Sequence, residues 1–498
     1  MSGMKKQYVL SVDQSTQGTK ALLFDSKGKL VRRSDLPHRQ LVNECGWISH
    51  DPEEIFCNLL QAVQNVVDSA GIDAADIICL GISNQRETSL AWNRETGKPV
   101  CNAIVWQCAR SQDICRRLAD SGAAPLVQSR TGIPLSPYFP ASKFAWILEN
   151  VPGARTLSSR HALCFGTMDT WLVYRLTNGA CYKTDYSNAS RTQLFNLHSL
   201  QWDTEICEKF GLDAVDLPQI CDSDAVFGIT DLNGFLPKAI PICSVLGDSH
   251  AALFGQRCLD RGDIKATYGT GSSVMMNIGQ GPIFSGHGLV TSLAWKYRGA
   301  VRYVMEGNLN YTGAVIRWLQ KDLGLIDTPN ECEMLARSAW EDDETYVVPA
   351  FTGLGAPYWD SSARATICGI TRRTGRAELV KAGLECIAYQ IADVVQAMEQ
   401  DTGIKVQTIS ADGGATKNSY LMQFQSNILD ARLLVSEVEE LSGLGAAYMA
   451  GFSFGIYDDK VRENLVRRIY TPAMAQAVRE TRYSGWRRAV EMVLTKNI

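Results

Sequence analysis

Polar side chains that could hold and activate a hydroxyl group follow two largely apolar segments of the chain. Asp248 comes directly after the run 244–247, and Arg86 and Glu87 come shortly after the run 77–82. A hydroxyl that attacks an electrophilic centre must lose its proton, and a positioned carboxylate that accepts this proton accelerates the step about 10²–10⁴-fold. Where an arginine lies beside a glutamate, the arginine can donate to one hydroxyl and the glutamate can accept from the next. We therefore predict that Asp248 is a general base and that Arg86 and Glu87 bind hydroxyls.

Two aromatic residues could complete such a site. Trp106 can lie against a carbon chain, and Tyr138 supplies a phenol. Structural alternatives stay open for these residues, because Trp106 could belong to the core and Arg86 with Glu87 could form a surface ion pair.

The residues around Asp248 also allow a structural interpretation. Asp248 could cap a helix that begins at Ser249, since aspartate is a favoured N-cap residue. His250 could be a catalytic base, but its place in the first turn of that helix favours a structural role.

Three glycine-containing turns could hold phosphate groups, namely 13–20, 269–273 and 412–418. Backbone N–H groups in such turns point at an anion, and glycine, serine and threonine allow close approach. Each turn alone is a common connection between strands, whereas three in this order, each beside strands, predict a nucleotide site. Asp13, at the end of a strand, could hold Mg²⁺ through water. The candidate phosphate-binding residues of the first turn are Asp13, Gln14, Thr16, Gln17, Gly18 and Lys20.

The elements that must position these residues form a repeated pattern. Apolar spacing and turn signals predict a three-strand meander, a helix and a buried parallel strand in the first half. Related segments return in the second half, so we expect two α/β lobes, residues 1–254 and 255–498. The predicted strands lie at 8–13, 21–25, 30–33, 77–82, 263–269, 274–278 and 406–409, and the predicted helices at 52–68, 313–323 and 378–399.

Composition excludes several other classes of protein. The 498 residues carry a net charge of −4, which leaves no basic face for nucleic acid. The 15 cysteines form no CxxC pair and lie largely in apolar runs, as free thiols in a reducing compartment do. No apolar run reaches 18 residues and no signal core begins the chain, so we expect no membrane partner and a cytoplasmic location.

Several longer segments resemble the FGGY carbohydrate kinase family, and within it the glycerol kinases. The resemblance runs from Val12 to Trp486. The segments that carry it are 82–88 (Ile-Ser-Asn-Gln-Arg-Glu-Thr), 138–148, 165–171, 184–192, 348–360, 365–385 and 421–426.

This resemblance implies a fold and a set of roles. The fold would be two actin-like or ribonuclease-H-like lobes of the hexokinase, Hsp70 and actin ATPase superfamily, which close on a cleft. The reaction would be ATP-dependent phosphorylation of a small polyol or sugar, with Mg²⁺, in a homo-oligomer (dimer or tetramer). Asp248 matches the family's base, and Asp13 the acid near the metal. The acceptor-binding positions are Arg86, Glu87, Trp106 and Tyr138, and the ATP-binding positions are Thr16, Gln17, Thr270, Gly313, Gly414 and Asn418.

Two positions depart from the glycerol kinases. Ser249 replaces a glutamine that follows the base, and Ser273 replaces a phenylalanine after the second phosphate turn. Both exchanges enlarge the acceptor pocket and make it more polar. An alternative acceptor is therefore a polyol or ketopentose of four or five carbons, such as xylulose or ribulose, with glycerol a poor substrate.

An alternative of another class is a non-enzymatic, nucleotide-gated protein of the actin and chaperone type. The presence of Asp248 beside the hydroxyl-binding pair favours a kinase, because a chaperone needs no acceptor base.

Overall fold

The computed structural model describes residues 6–495. Up to residue 255 the strands are β1 (Tyr8–Gln14), β2 (Gly18–Asp25), β3 (Leu30–Pro37), β4 (Leu41–Val42), β5 (Ile48–His50), β6 (Ile77–Asn84), β7 (Ser89–Asn93), β8 (Ala103–Ile104), β9 (Leu163–Thr167), β10 (Lys183–Asp185), β11 (Phe195–Asn196), β12 (Gln201–Trp202), β13 (Gln219–Cys221), β14 (Gly228–Thr230) and β15 (Ile240–Gly247). The helices are α1 (Pro52–Ala70), α2 (Gln112–Asp120), α3 (Ala124–Thr131), α4 (Pro140–Asn150), α5 (Ala154–Ser159), α6 (Met168–Leu176), α7 (Tyr186–Ala189), α8 (Thr204–Lys209) and α9 (Asp248–Gly255).

After residue 255 the strands are β16 (Ile264–Tyr268), β17 (Ser272–Gly279), β18 (Val290–Tyr297), β19 (Ala300–Leu309), β20 (Tyr346–Val348), β21 (Thr366–Cys368), β22 (Thr408–Asp412), β23 (Arg432–Ser436) and β24 (Arg467–Tyr470). The helices are α10 (Gly313–Lys321), α11 (Glu331–Ser338), α12 (Arg376–Thr402), α13 (Ser419–Leu429), α14 (Leu441–Phe454) and α15 (Gln476–Glu491).

The first sheet brings the ends of three strands to one edge. Its order is β14-β15-β6-β1-β2-β3, with β1, β6 and β15 parallel and the β1–β2–β3 meander antiparallel. Asp13 pairs in register with Ser83, and Gly247 with Asn84. Because parallel strands end on the same side, Asp13, the turn that follows β6 and Asp248 all meet at this edge.

The second sheet repeats the arrangement. Its order is β18-β19-β17-β16-β22-β23-β24, with β16, β22 and β23 parallel and β16, β17 and β19 antiparallel neighbours. Strand β16 therefore corresponds to β1, and β22 to β6. The repeat that the sequence pattern predicts is confirmed, and the turns at 269–271 and 413–414 lie at the equivalent edge of this sheet.

The predicted helices are present with slightly different ends. The helix expected at 52–68 begins after Asp51, whose side chain accepts from the backbone N–H of Glu53, and continues to Ala70 before Gly71, whose φ is 62°. The helix expected at 378–399 covers Arg376–Thr402. Capping groups explain these ends better than apolar periodicity does.

Helix α14 belongs to the second half of the sequence but packs on the first sheet. The Ser11 hydroxyl donates to the Gly443 carbonyl at 2.8 Å, and the Ser244 hydroxyl donates to the Ala446 carbonyl at 2.8 Å. Apolar residues of β1, β2, β6 and β15 share one buried cluster with those of α9 and α14. The division into 1–254 and 255–498 stays a prediction. Over residues 6–495, no helix combines the length and apolar character that a membrane crossing requires.

Helices α9 and α14 approach each other so closely that one contact admits only glycine. A Cβ atom built on Gly445 would overlap the carbonyl oxygen of Ala251. We expect Gly445→Ala to lower the free energy of unfolding by about 1–3 kcal/mol through overpacking, as chemical denaturation would measure. Gly281→Ala, where a Cβ meets no atom within 4 Å, is the control and should leave the unfolding midpoint unchanged. Equal midpoints for both variants would contradict the close-crossing argument.

Candidate active site

The turn after β6 places Arg86 and Glu87 inside the protein. Both side chains are buried, and Glu87 adopts a left-handed backbone conformation with φ 59°. They do not form a surface ion pair, so that alternative is wrong. Helix α9 begins at Asp248 itself, with Gly247 as its N-cap residue, so the interpretation of Asp248 as a cap is wrong as well. The Asp248 side chain is 32% exposed and faces Arg86.

Arg86 lies between two carboxylates. Its Nε atom is 3.2 Å from Asp248 Oδ1, and its two terminal nitrogens donate to Glu306 at 3.0 and 2.8 Å. Two parallel bonds to one carboxylate fix the plane of the guanidinium group. Asp248 Oδ1 also accepts from the backbone N–H of Ser249 at 2.6 Å.

Glu306 is the centre of a buried network. It is fully buried and lies 2.8 Å from Arg191, which in turn donates to Glu87 at 2.6 Å. Burial alone would raise the pKa of Glu306, but Arg86 and Arg191 hold that pKa well below its usual range. We call Asp248, Arg86, Glu306, Arg191 and Glu87 the carboxylate–arginine network.

The network joins the two halves of the chain. Glu306 lies on β19 of the second sheet, whereas Arg86, Glu87, Arg191 and Asp248 come from the first half. The hydroxyl of Ser273, on β17, donates to Glu306 Oε1 at 2.9 Å. Ser273 therefore contacts the group that orients Arg86.

The two predicted aromatic residues lie together beside the first phosphate turn. The ring centres of Trp106 and Tyr138 are 5.3 Å apart, and the Trp106 indole N–H donates to the Thr16 hydroxyl at 3.0 Å. Trp106 is half-buried rather than part of the core. Burial raises the pKa of Tyr138, which keeps the phenol neutral.

Asp13 lies near the carboxyl end of β1 and its side chain is buried. The Ser83 hydroxyl donates to Asp13 at 2.8 Å, and burial raises the pKa of Asp13 to about 6, against an opposing effect of Lys20. Lys20 itself forms an ion pair with Glu440 at 2.6 Å. A desolvated carboxylate of this kind fits Mg²⁺ that phosphate and water also coordinate. Within the described 6–495, no cluster of three or more metal-ligating side chains forms a site of its own.

The residues of the first turn differ in how far they are exposed to solvent. Gln17 is exposed, Thr16 is half-buried, and Gly18 begins β2. The Gln14 side chain is fully buried and accepts from the Gln85 amide at 3.1 Å. The structure thus places Gln14 beneath the turn and not at its surface.

The second turn is held against helix α10. The N–H groups of Gly313 and Ala314 donate to the carbonyls of Gly269 and Thr270, both at 3.0 Å. Thr270 is exposed at the tip of the turn. A Cβ atom on Gly313 would overlap the Gly269 carbonyl oxygen, so this contact requires glycine.

The third turn follows β22 and leads into helix α13. Gly414 is exposed, and the Asn418 side chain caps α13 by accepting from the backbone N–H of Leu421 at 2.9 Å. Turns two and three both lie at the carboxyl edge of the second sheet.

Sequence reasoning missed Glu306 and Arg191. Glu306 interrupts the apolar run 303–307, and a charge inside a buried strand is a signal that it has a partner. Arg191 lies in the segment 184–192, which the resemblance includes without a role. His250 is fully buried, and burial holds its pKa well below the usual range, so the imidazole is neutral. This agrees with the structural role favoured above.

Comparison with protein families gives two matches along the chain. The N-terminal domain model of the FGGY family of carbohydrate kinases matches residues 8–255, and the C-terminal domain model matches residues 264–454. The chain is 46% identical to glycerol kinase 1 of Thermotoga maritima over 492 residues, which covers 98% of this chain and all of that protein. It is 46% identical to the glycerol kinase of Symbiobacterium thermophilum over 98% of both chains.

Solved structures give the same fold. The crystal structure of Plasmodium falciparum glycerol kinase with ADP superimposes with a TM-score of 0.93 at 35% identity, over 99% of both chains. A xylulose kinase from Lactobacillus acidophilus superimposes with a TM-score of 0.87 at 22% identity, over 98% of this chain and 97% of that one. The predicted two-lobed α/β fold is confirmed.

The carboxylate–arginine network should stabilise the protein as well as the site. We expect Glu306→Gln to lower the free energy of unfolding by about 3–5 kcal/mol, because two buried arginines lose a shared negative partner. Denaturant unfolding would measure the change. The control is Asp342→Asn, the same exchange in an exposed ion pair with Arg373, which should have no measurable effect. Similar effects of the two exchanges would show that burial adds nothing to this network.

Proposed function

Because the chain belongs to the FGGY family of carbohydrate kinases, we propose that it transfers the terminal phosphoryl group of ATP to a hydroxyl of a short polyol, with glycerol as the first acceptor to test. The observation that carries the proposal is the contact between Asp248 and Arg86 at the edge where the first phosphate turn also lies. Family membership decides for an enzyme and against the non-enzymatic alternative. The two relatives at 46% identity are named glycerol kinases, which supports a polyol acceptor.

Asp248 is proposed to take the proton of the attacking hydroxyl. Its contacts with Arg86 and with the Ser249 N–H both fall on Oδ1, so we assign Oδ2 as the oxygen that faces the acceptor. A fixed carboxylate beside the hydroxyl lets the oxygen attack as its proton leaves.

Arg86 and Glu87 are proposed to hold the other hydroxyls of the acceptor. Bidentate bonding to Glu306 fixes Arg86, and the bond from Arg191 fixes Glu87. Both side chains are therefore ordered before the acceptor binds, which lowers the entropy cost of binding. Trp106 and Tyr138 would lie against the carbon chain.

The phosphate groups are proposed to lie between the first and second turns. Thr16, Gln17, Gly18 and Thr270 would donate to phosphate oxygens, and Gly313, Gly414 and Asn418 would contact the nucleoside end. Asp13 would hold Mg²⁺ through water. Magnesium, when bound, neutralises charge on the transferring phosphoryl group. A homo-oligomer and a cytoplasmic location stay predictions.

Asp248→Asn should lower turnover about 10²–10⁴-fold, since the amide cannot accept the proton. ATP affinity should change less than threefold, because the three turns are untouched. Coupled ADP release and calorimetric ATP titration would measure the two effects. Asp113→Asn, on the exposed surface of α2, is the matched exchange and should retain wild-type turnover. Turnover of the Asp248 variant within tenfold of wild type would remove Asp248 from the role.

A longer acceptor is a second candidate, and Ser249 and Ser273 favour it. Both serines are half-buried near the acceptor residues, where larger side chains stand in glycerol kinases. The Ser273 hydroxyl already donates to Glu306 and does not need a hydroxyl of the acceptor as its partner. The candidate is therefore supported by the larger volume of the acceptor pocket.

If a longer acceptor fills the space beside Ser249 and Ser273, kcat/KM for at least one polyol or ketose of four or five carbons should exceed kcat/KM for glycerol tenfold or more. An acceptor panel in the ADP-release assay would measure this ratio. The double variant Ser249→Gln with Ser273→Phe should shift the ratio back toward glycerol. A wild-type preference for glycerol over every longer acceptor would identify glycerol as the substrate and refute the longer one.

A further inference from the structure

Lys143 is a fully buried lysine that lies within the segment 138–148 of the resemblance but has no role assigned to it above. It lies on α4, and its ammonium group donates to the Tyr138 carbonyl at 2.5 Å and to the Trp106 carbonyl at 3.4 Å. Among the ion pairs within residues 6–495, none involves Lys143. Burial lowers the pKa of Lys143 to about 7, against an opposing effect of Glu87.

Such a residue is costly to the fold. A buried ammonium without a carboxylate partner loses its hydration and recovers only part of it through carbonyl oxygens. An unbranched apolar side chain of similar length would fill the same volume without that loss. The two carbonyl contacts are therefore the feature that a lysine supplies and an apolar residue cannot.

The two carbonyls belong to separate loops that approach each other at the candidate site. Trp106 follows β8, and Tyr138 precedes α4, 32 residues later in the sequence. Their rings lie 5.3 Å apart, and the Trp106 indole also donates to Thr16 of the first phosphate turn. One ammonium group thus fixes the spacing of two loops whose aromatic side chains face the acceptor.

We infer that Lys143 is a positioning residue that sets the Trp106 and Tyr138 rings for acceptor binding by holding both backbone carbonyls. This inference rests on the proposed function for its catalytic consequence. It concerns acceptor affinity, because the two carbonyls that Lys143 holds belong to residues that are proposed to lie against the acceptor.

The chain contains a matched control. Lys381, on α12, is also buried, and its ammonium donates to the carbonyls of Trp340 and Glu341 at 2.7 and 3.4 Å. Burial lowers its pKa as well. Lys381 therefore repeats the chemistry of Lys143 at a place that lacks the acceptor residues.

The test compares Lys143→Met with Lys381→Met in steady-state kinetics with glycerol or the most active acceptor of the panel. Lys143→Met should raise KM for the acceptor tenfold or more and leave KM for ATP within twofold. Lys381→Met should leave both constants within twofold. Lys143→Gln, which keeps a donor group, should lie between wild type and Lys143→Met, and it replaces the Met variant if that protein does not fold. An unchanged acceptor KM, or an equal rise for both lysines, would overturn the inference.

A second measurement does not depend on turnover. In protein labelled with 5-fluorotryptophan, the ¹⁹F signal of Trp106 is assigned through Trp106→Phe. That signal should move in Lys143→Met or Lys143→Gln and stay in place in Lys381→Met. A wild-type protein without acceptor-dependent ADP release would refute the proposed function, whereas a Trp106 signal that does not move would refute the positioning role of Lys143.

Discussion

The site depends on one carboxylate, Glu306, which is fully buried between Arg86 and Arg191. In a medium of low polarity an unpaired charge is strongly destabilising. Glu306 is the negative partner of both arginines, and the two arginines together stabilise the charge of Glu306. Arg86 can therefore not turn away from Asp248 without breaking two bonds to Glu306. Arg86, which is proposed to bind the acceptor, acquires its orientation from a strand of the other sheet, so the position of its guanidinium group depends on how the two sheets lie relative to each other.

The repeated sheet topology explains how this linkage is built. Parallel strands deliver Asp13, Arg86 and Asp248 to one edge of the first sheet, and the antiparallel β17 and β19 deliver Ser273 and Glu306 to meet them. The first two turns that are proposed to hold phosphate are the hairpins β1–β2 and β16–β17 of the same two meanders. A kinase that must bring a nucleotide and a hydroxyl together thus obtains both sites from the carboxyl edges of two similar sheets. Helices α9 and α14, in contact through glycine, lie behind these edges.

Local patterns were sufficient to predict β1, β2, β3, β6, β16, β17 and β22, the turns beside them and the residues that follow strand ends, whereas strands such as β18 and β19 were not predicted. Asp248 and Arg86 could be found because polar residues after apolar runs mark the edge of a sheet. The charge of Glu306 inside an apolar run signals a partner, but the identity of the partners of Glu306 and Arg191 could not be predicted, because these partners lie 220 and 104 residues away and no local pattern encodes such pairs. Gln14 shows a second limit of local patterns. It was included among the candidate phosphate-binding residues because of its position in the first turn, but its side chain is buried. The cap on α1 and the packing of α14 on the first sheet likewise depend on contacts that periodicity does not describe.

The position of α14 has a consequence for how the chain is made. The faces of β1, β6 and β15 are complete as a sheet once residue 247 has been synthesised, but the helix that covers one face spans Leu441–Phe454. During translation almost 200 further residues are synthesised before α14, the helix that covers this apolar face, emerges from the ribosome. At about 5–20 residues per second that interval lasts on the order of ten seconds or more, and apolar surface that is exposed for this time makes a chain prone to aggregation. The order of the sequence, and not the strength of the native contacts, therefore sets the period in which this protein is most exposed to aggregation.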